Sequence, residues 1–160
     1  MKILTPTDFS KSAEHAMNYA FQLAGKLKAS VQIYNFVGIS IYSSDVPIAF
    51  PSEDELKKNA SEGVNKIKKA MMFRYPDIKV DTDVQTGINF PEDAILNEET
   101  TCKADLIIMG TRGGGLRQLL GSNTAMVMEN ANCPVIAFPD RKSTRLNSSH
   151  HRLSRMPSSA

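Results

Sequence analysis

Residues 105 to 139 read Asp-Leu-Ile-Ile-Met, then Gly-Thr-Arg-Gly-Gly-Gly-Leu-Arg-Gln-Leu-Leu-Gly-Ser-Asn-Thr, then a short helical run and Cys-Pro-Val-Ile-Ala-Phe-Pro. A five-residue apolar run flanked by turn residues is a buried strand, and here it empties into a glycine-rich loop. The loop ends on Gly121, Ser122 and Asn123 at the expected start of a helix. Free backbone N–H groups and the positive pole of the helix dipole both point to such a junction, which makes it a phosphate position in an α/β protein.

The rest of the chain alternates in the way such a site requires. Residues 2–5 form a short apolar strand, closed by Pro6, Thr7, Asp8, Phe9 and Ser10. Ser10 is a good N-cap, and behind it Ala13, Ala16, Met17, Ala20, Leu23, Ala24 and Leu27 recur at helical spacing. Residues 31–37 read as a second buried strand. Residues 38–51 are apolar yet broken by prolines and a Ser-Ser-Asp run, which suits either a lid or a contact surface. Ser52 to Glu55 is a capping box, and the helix it opens carries Leu56, Ala60, Val64, Ile67 and Met71 inward and stops before Pro76. Its lysines alternate with acids and form a solvated face.

Ile78, Val80, Thr82 and Val84 alternate with Lys79, Asp81, Asp83 and Gln85, the pattern of an edge strand with one wet face. Asn89 is expected to cap a third helix, with Pro91 in its first turn and Ala94, Ile95 and Cys102 facing in. Residues 124–130 form the fourth helix and 135–138 the fifth strand. The order β-α-β-loop-α-β-α-β-α-β predicts an α/β fold with a parallel sheet and helices on both faces. If the first and fourth strands are neighbours, Pro6, Thr7 and Asp8 face residues 110–123 across the crevice at the switch of winding direction.

Composition narrows the function classes. The 160 residues suit one domain, and no apolar run nears the ~20 residues of a membrane span. No signal-peptide pattern precedes the first strand, so the expected location is cytoplasmic. The expectation for Cys102 and Cys133 is that of small buried hydrophobes, not a disulfide or metal pair. Residues 140–160 are Ser- and Arg-rich and carry Arg141, Lys142, Arg145, Arg152 and Arg155 against Asp140 alone. Without them the formal charge of +2 becomes −2, with 14 basic and 16 acidic residues, so the body has no nucleic-acid character. The tail lacks either structural period and resembles the in-frame translation of a DNA-sequencing adapter; it is expected to be a non-native disordered extension of a domain spanning 1–139. His150 and His151 fall in it, leaving His15 in the body, and no histidine metal site is expected.

Four stretches together resemble the universal stress protein family: residues 2–8 (Lys-Ile-Leu-Thr-Pro-Thr-Asp), the strand and loop at 105–113, Gly121-Ser122, and residues 132–136 (Asn-Cys-Pro-Val-Ile). The resemblance covers about residues 1–139. It implies an open twisted five-stranded parallel sheet in the order 3-2-1-4-5, of the Rossmann-like, adenine nucleotide alpha hydrolase-like kind. It also implies a homodimer paired through the last strand, Val135–Phe138. Many members bind ATP, and matching their loop pattern residue by residue selects Gly110, Gly113, Gly121 and Ser122. The adenosine end falls on Pro6, Thr7, Asp8 and Phe36, with Met109 beside the crevice. Arg112 is placed to offset phosphate charge, Asn123 offers a further N–H, and Asp8 suits a ribose hydroxyl or a magnesium ion.

The loop departs from the family pattern. Seven residues separate Gly113 from Gly121 where the pattern has nine. The difference removes up to ~7 Å of chain reach. Two readings follow: an ATP-binding regulatory module acting as a homodimer, or a dimeric partner-interaction protein whose loop only closes the sheet. An adenylating enzyme would need a Ser-Gly-Gly-type loop after the first strand, and residues 5–10 supply none. With no Ser-His-Asp arrangement evident, the expectation is a binding protein with no catalytic residues.

Overall fold

Period-two alternation in the short strands divides the interior into two layers. In the computed structural model, β1 (Lys2–Pro6) turns Ile3 to one side and Leu4 to the other, and both are fully buried. In β4 (Leu106–Gly110), Leu106 and Ile108 join Ile3 while Ile107 and Met109 join Leu4. A strand apolar on both faces must be covered on both, and the helices do this. The structure describes residues 1–39, 51–111 and 121–139. The tail, Arg112, Gly113 and most of the 38–51 segment therefore lie outside the described residues.

The remaining elements are α1 (Lys11–Leu27), β2 (Ser30–Gly38), α2 (Glu53–Arg74), β3 (Val80–Gly87), α3 (Pro91–Cys102), α4 (Ser122–Asn130) and β5 (Val135–Phe138). All strand pairs are parallel, and the order is β3-β2-β1-β4-β5. Both α1 and α2 cover the face holding Phe21, Val31, Ile33 and Val64; α3 and α4 cover the face holding Tyr34, Ile95 and Val127. Winding reverses between β1 and β4, where Ile3 pairs with Leu106 and Leu4 with Ile107.

Local chemistry sets the element ends. The Ser10 hydroxyl accepts from Ala13 N–H at 3.2 Å, and Ser52 accepts from Glu55 N–H at 3.2 Å. Each satisfies one orphan donor of a first turn. The expected Asn89 cap is not formed. The N-cap is Phe90, with no side-chain hydrogen bond, and Pro91 follows in the first turn, where its missing N–H costs nothing. In α1 the apolar stripe takes in Phe21, which is fully buried, whereas Leu27 is 46% exposed beside the left-handed cap at Lys28. Cys102 and Cys133 are free and half-buried rather than buried, packed against the α3–α4 layer. Burial raises the Cys102 thiol and pushes Cys133, which lies beside Glu99, up to about 12, so both stay protonated.

Two features were not expected. The face of β3 read as wet is half-buried and carries a polar network. Gln32 donates to Glu98 Oε1 at 3.1 Å, Gln85 donates to Asp83 Oδ2 at 2.8 Å, and the Tyr34 hydroxyl lies 3.2 Å from Gln85 Oε1. Glu98 and Glu99, on the inner face of α3, are each 3% exposed. Burial, then the nearby Asp83 carboxylate, raises Glu98 from 4.5 to about 7. The second feature is a close approach. A Cβ on Gly110 would lie 2.6 Å from the backbone carbon and oxygen of Ser12, so only glycine lets the end of β4 meet the start of α1.

Each feature has a measurable consequence. Gly110→Ala forces backbone apart and should cost roughly 1–3 kcal/mol by denaturant titration; an unchanged midpoint would show the contact to be loose. Between pH 4.5 and about 7 the folded state holds a Glu98 proton that the unfolded chain has released. Its contribution is full below that window and is lost as pH rises through it, by up to about 3 kcal/mol. Glu98→Gln should flatten the stability profile across that window, and an unaltered slope would refute the assignment.

Candidate functional site

The carboxyl ends of β1 and β4 open a cleft of about 410 Å³. Two side chains clamp the peptide that leaves β4. Ser12, from α1, donates to Thr111 O at 2.7 Å, and Thr124, from α4, donates to Gly110 O at 3.2 Å. These bonds draw the N-termini of both helices to the end of the strand. The lining also includes Pro91 and Ile95 from α3. The positive poles of three helix dipoles thus meet at one opening, which favours an anion.

The cleft differs at its two ends. Tyr34, Phe36, Pro91, Ile95 and Met109 give it an apolar wall. Burial, reinforced by Glu98 and Asp83, raises the Tyr34 phenol well above its ordinary range, so it remains neutral. At the other end, α4 begins at Gly121, whose extended backbone forms an N-cap without a side-chain hydrogen bond. By contrast, α1 spends its first turn on the Ser10 hydroxyl, and α3 starts with a proline that has no N–H to give. Of the three helix starts, α4 is the one that loses no first-turn donor to its cap or to a proline.

The β1–α1 turn forms the floor. Thr7 N–H donates to Tyr34 O at 2.8 Å, and Asn35 Nδ2 donates to Thr7 O at 2.7 Å. The Asp8 Oδ1 atom accepts from Ser10 N–H at 3.0 Å, which holds the carboxylate at the exposed lip.

Pro6, Thr7, Asp8, Phe36, Met109, Gly110, Gly121, Ser122 and Asn123, selected from sequence, all line this cleft. Arg112 and Gly113 lie outside the described residues. At Gly110 the missing Cβ admits the Ser12 backbone, and its φ lies outside the left-handed region. Sequence reading missed Ser12, Tyr34, Pro91, Ile95 and Thr124 as lining residues. Ser12 and Thr124 each sit in the first turn of a helix, a signal that could have raised them. Tyr34 and Ile95 read only as core. Among the described residues no group of His, Cys, Asp or Glu is arranged to hold a metal ion. No helix among the described residues is long and apolar enough to cross a membrane.

The model of the universal stress protein family matches residues 1–139. Universal stress protein MJ0531 of Methanocaldococcus jannaschii is 33% identical over 150 residues, covering 88% of this chain and 83% of its own length. A solved structure from the same family in Burkholderia pseudomallei superposes with a TM-score of 0.67 at 22% identity, covering 87% of this chain and 96% of that one. A universal stress protein solved in complex with cAMP gives 0.63 at 20% identity, with coverage of 86% and 95%. An Arabidopsis thaliana family protein solved with AMP bound gives 0.61 at 17% identity, with coverage of 92% and 97%. The family model covers residues 1–139 and the curated relative is 33% identical, so the chain belongs to the universal stress protein family.

Proposed function

We propose that this chain is a cytoplasmic adenine-nucleotide-binding regulatory module, with ATP as its nucleotide, that acts as a homodimer and binds rather than turns over its ligand. The observation that carries this reading is the polarity of the cleft, an apolar wall at one end and the uncapped start of α4 at the other. In it, the base lies against Tyr34, Phe36 and Met109, the ribose at Thr7 and Asp8, and the phosphates on the N–H groups of Ser122 and Asn123. The AMP and cAMP held by the two neighbours of this fold support an adenine nucleotide. Asp8 would be the residue to meet a magnesium ion carried on the phosphates; such an ion would offset phosphate charge.

Dimerisation follows from the edge. Pro134 O and Phe138 O accept from Ile107 N–H and Thr111 N–H at 3.0 and 2.9 Å. Alternate residues of β5, Val135 and Ala137, therefore turn their backbone groups outward on an edge strand. A second copy pairing there would satisfy those groups.

Three experiments test the reading. Ligand at 100 times its Kd adds about 2.7 kcal/mol, so saturating ATP should raise Tm by several degrees; no shift at millimolar ATP would sink the nucleotide role. Ser122→Pro removes one N–H at a position where proline suits a helix. It should weaken AMP roughly tenfold or more while sparing adenosine, measured by calorimetry; equal losses would contradict the phosphate position. For the dimer, Ala137→Pro deletes an outward N–H and leaves the β4 pairing whole. Sedimentation should then report a monomer with an unchanged circular dichroism spectrum, and a persisting dimer would rule out this edge.

A further inference from the structure

Three non-glycine residues among those described have positive φ: Phe9 at 61°, Lys28 at 53° and Lys103 at 54°. The two lysines are helix C-caps, where a left-handed residue returns its N–H to the last turn. Phe9 has no such excuse. It lies in the turn between β1 and α1, and a bulky side chain at positive φ is a true outlier that its surroundings must hold in place.

The hold is visible on the opposite side of the turn from the ligand cleft. The Phe9 ring rests on Gly63 of α2: a Cβ there would lie 2.8 and 2.9 Å from its Cε1 and Cζ atoms. The ring helps line a second cavity, of about 380 Å³, walled by Met17, Ile67, Ala70 and Met71. Thr7 and Ser10 line both cavities, so four residues of turn form the partition between them. The hydrogen bonds of that partition depend on the reversal at Phe9. Phe9 N–H donates to Thr7 Oγ1 at 3.1 Å, and Ser10 N–H donates to Asp8 Oδ1 at 3.0 Å.

We propose that Phe9 is a positioning residue for ligand binding: its ring, seated on Gly63, locks the left-handed turn that presents Thr7 and Asp8 to the cleft. Removing the seat lets φ relax, and the Asp8 carboxylate loses its fixed place without any ligand contact having been deleted. For its effect on binding, this proposal rests on the nucleotide reading above. The consequence is that α2 sits one contact away from the ligand site, so whatever shifts α2 against Phe9 shifts Asp8.

The test has one arm without ligand and one with it, on the full chain. In Phe9→Ala, hydrogen exchange at the amides of residues 9 and 10 should rise at least tenfold while the β1 amides keep their protection. Unchanged exchange at both amides overturns the proposal, whatever the protein binds. In the second arm, Phe9→Ala and Gly63→Ala should each weaken AMP about tenfold, and Phe9→Tyr should restore affinity. Alanine is the better helix former, so a loss in Gly63→Ala does not come from a weakened α2. It also serves if Phe9→Ala fails to fold. Placed on Asp8→Asn, the Phe9→Ala change should cost less than it does in the wild type, because part of its effect runs through Asp8. Full additivity of the two losses, or wild-type affinity in both single variants, overturns the positioning role. Should wild-type protein bind no AMP, the nucleotide reading fails, and the exchange arm still decides whether Phe9 locks the turn.

Discussion

The peptide that leaves β4 is held from two sides, by Ser12 of α1 on Thr111 O and by Thr124 of α4 on Gly110 O. The Ser12 bond needs the strand end to come up against α1, and the missing Cβ of Gly110 permits that approach. Buried carbonyls at a strand end need donors, and a parallel strand running out of its sheet cannot supply them. Here hydroxyls in the first turns of two helices fill that need. The same bonds that satisfy the backbone gather the helix N-termini around one opening, so the site is a by-product of finishing the strand properly.

From that clamp follows the division of labour around the cleft. Three helices present their positive poles, yet each treats its first-turn donors differently. Ser10 occupies one at α1, proline removes one at α3, and Gly121 has no side chain with which to take one at α4. Dipole attraction alone would favour an anion near any of the three helix starts. Hydrogen-bond supply is more local, and of the three starts α4 is the one that neither its cap nor a proline reduces.

Much of this was legible in the sequence because it depends on local rules. Ser10 and Ser52 announce their helices, two-sided apolar strands announce a covered parallel sheet, and the alternation of elements restricts the topology. The glycine loop and Pro6-Thr7-Asp8 could be paired by the switch-point rule. What stayed hidden depends on partners distant in the chain. Gln32 and Glu98 are 66 residues apart, and nothing in the acidic run Glu98-Glu99 says that it faces inward. Asp83 alternates like a surface residue of an edge strand, yet it is half-buried and lies near Glu98 of α3. Asn89 satisfied the composition of a cap, but the chain enters the helix one residue later, at Phe90.

The hidden acids explain how α3 keeps its place. Its inner face offers only Ala94 and Ile95 as buried apolar side chains, against seven buried residues along α1, six of them apolar. A helix with so thin a stripe gains little from hydrophobic contact alone. Glu98 ties it to β2 through Gln32, and Glu99 Oε1 accepts Cys133 N–H at 2.8 Å, tying it to the turn before β5. These bonds carry a cost, since Glu99 Oε2 is buried with no hydrogen-bond partner among the described residues. Polar anchors are directional where an apolar stripe is not, so α3 is fixed in register as well as in distance. That matters because α3 contributes Pro91 and Ile95 to the cleft wall, and a slip of one residue would exchange them for Phe90 and Ala94.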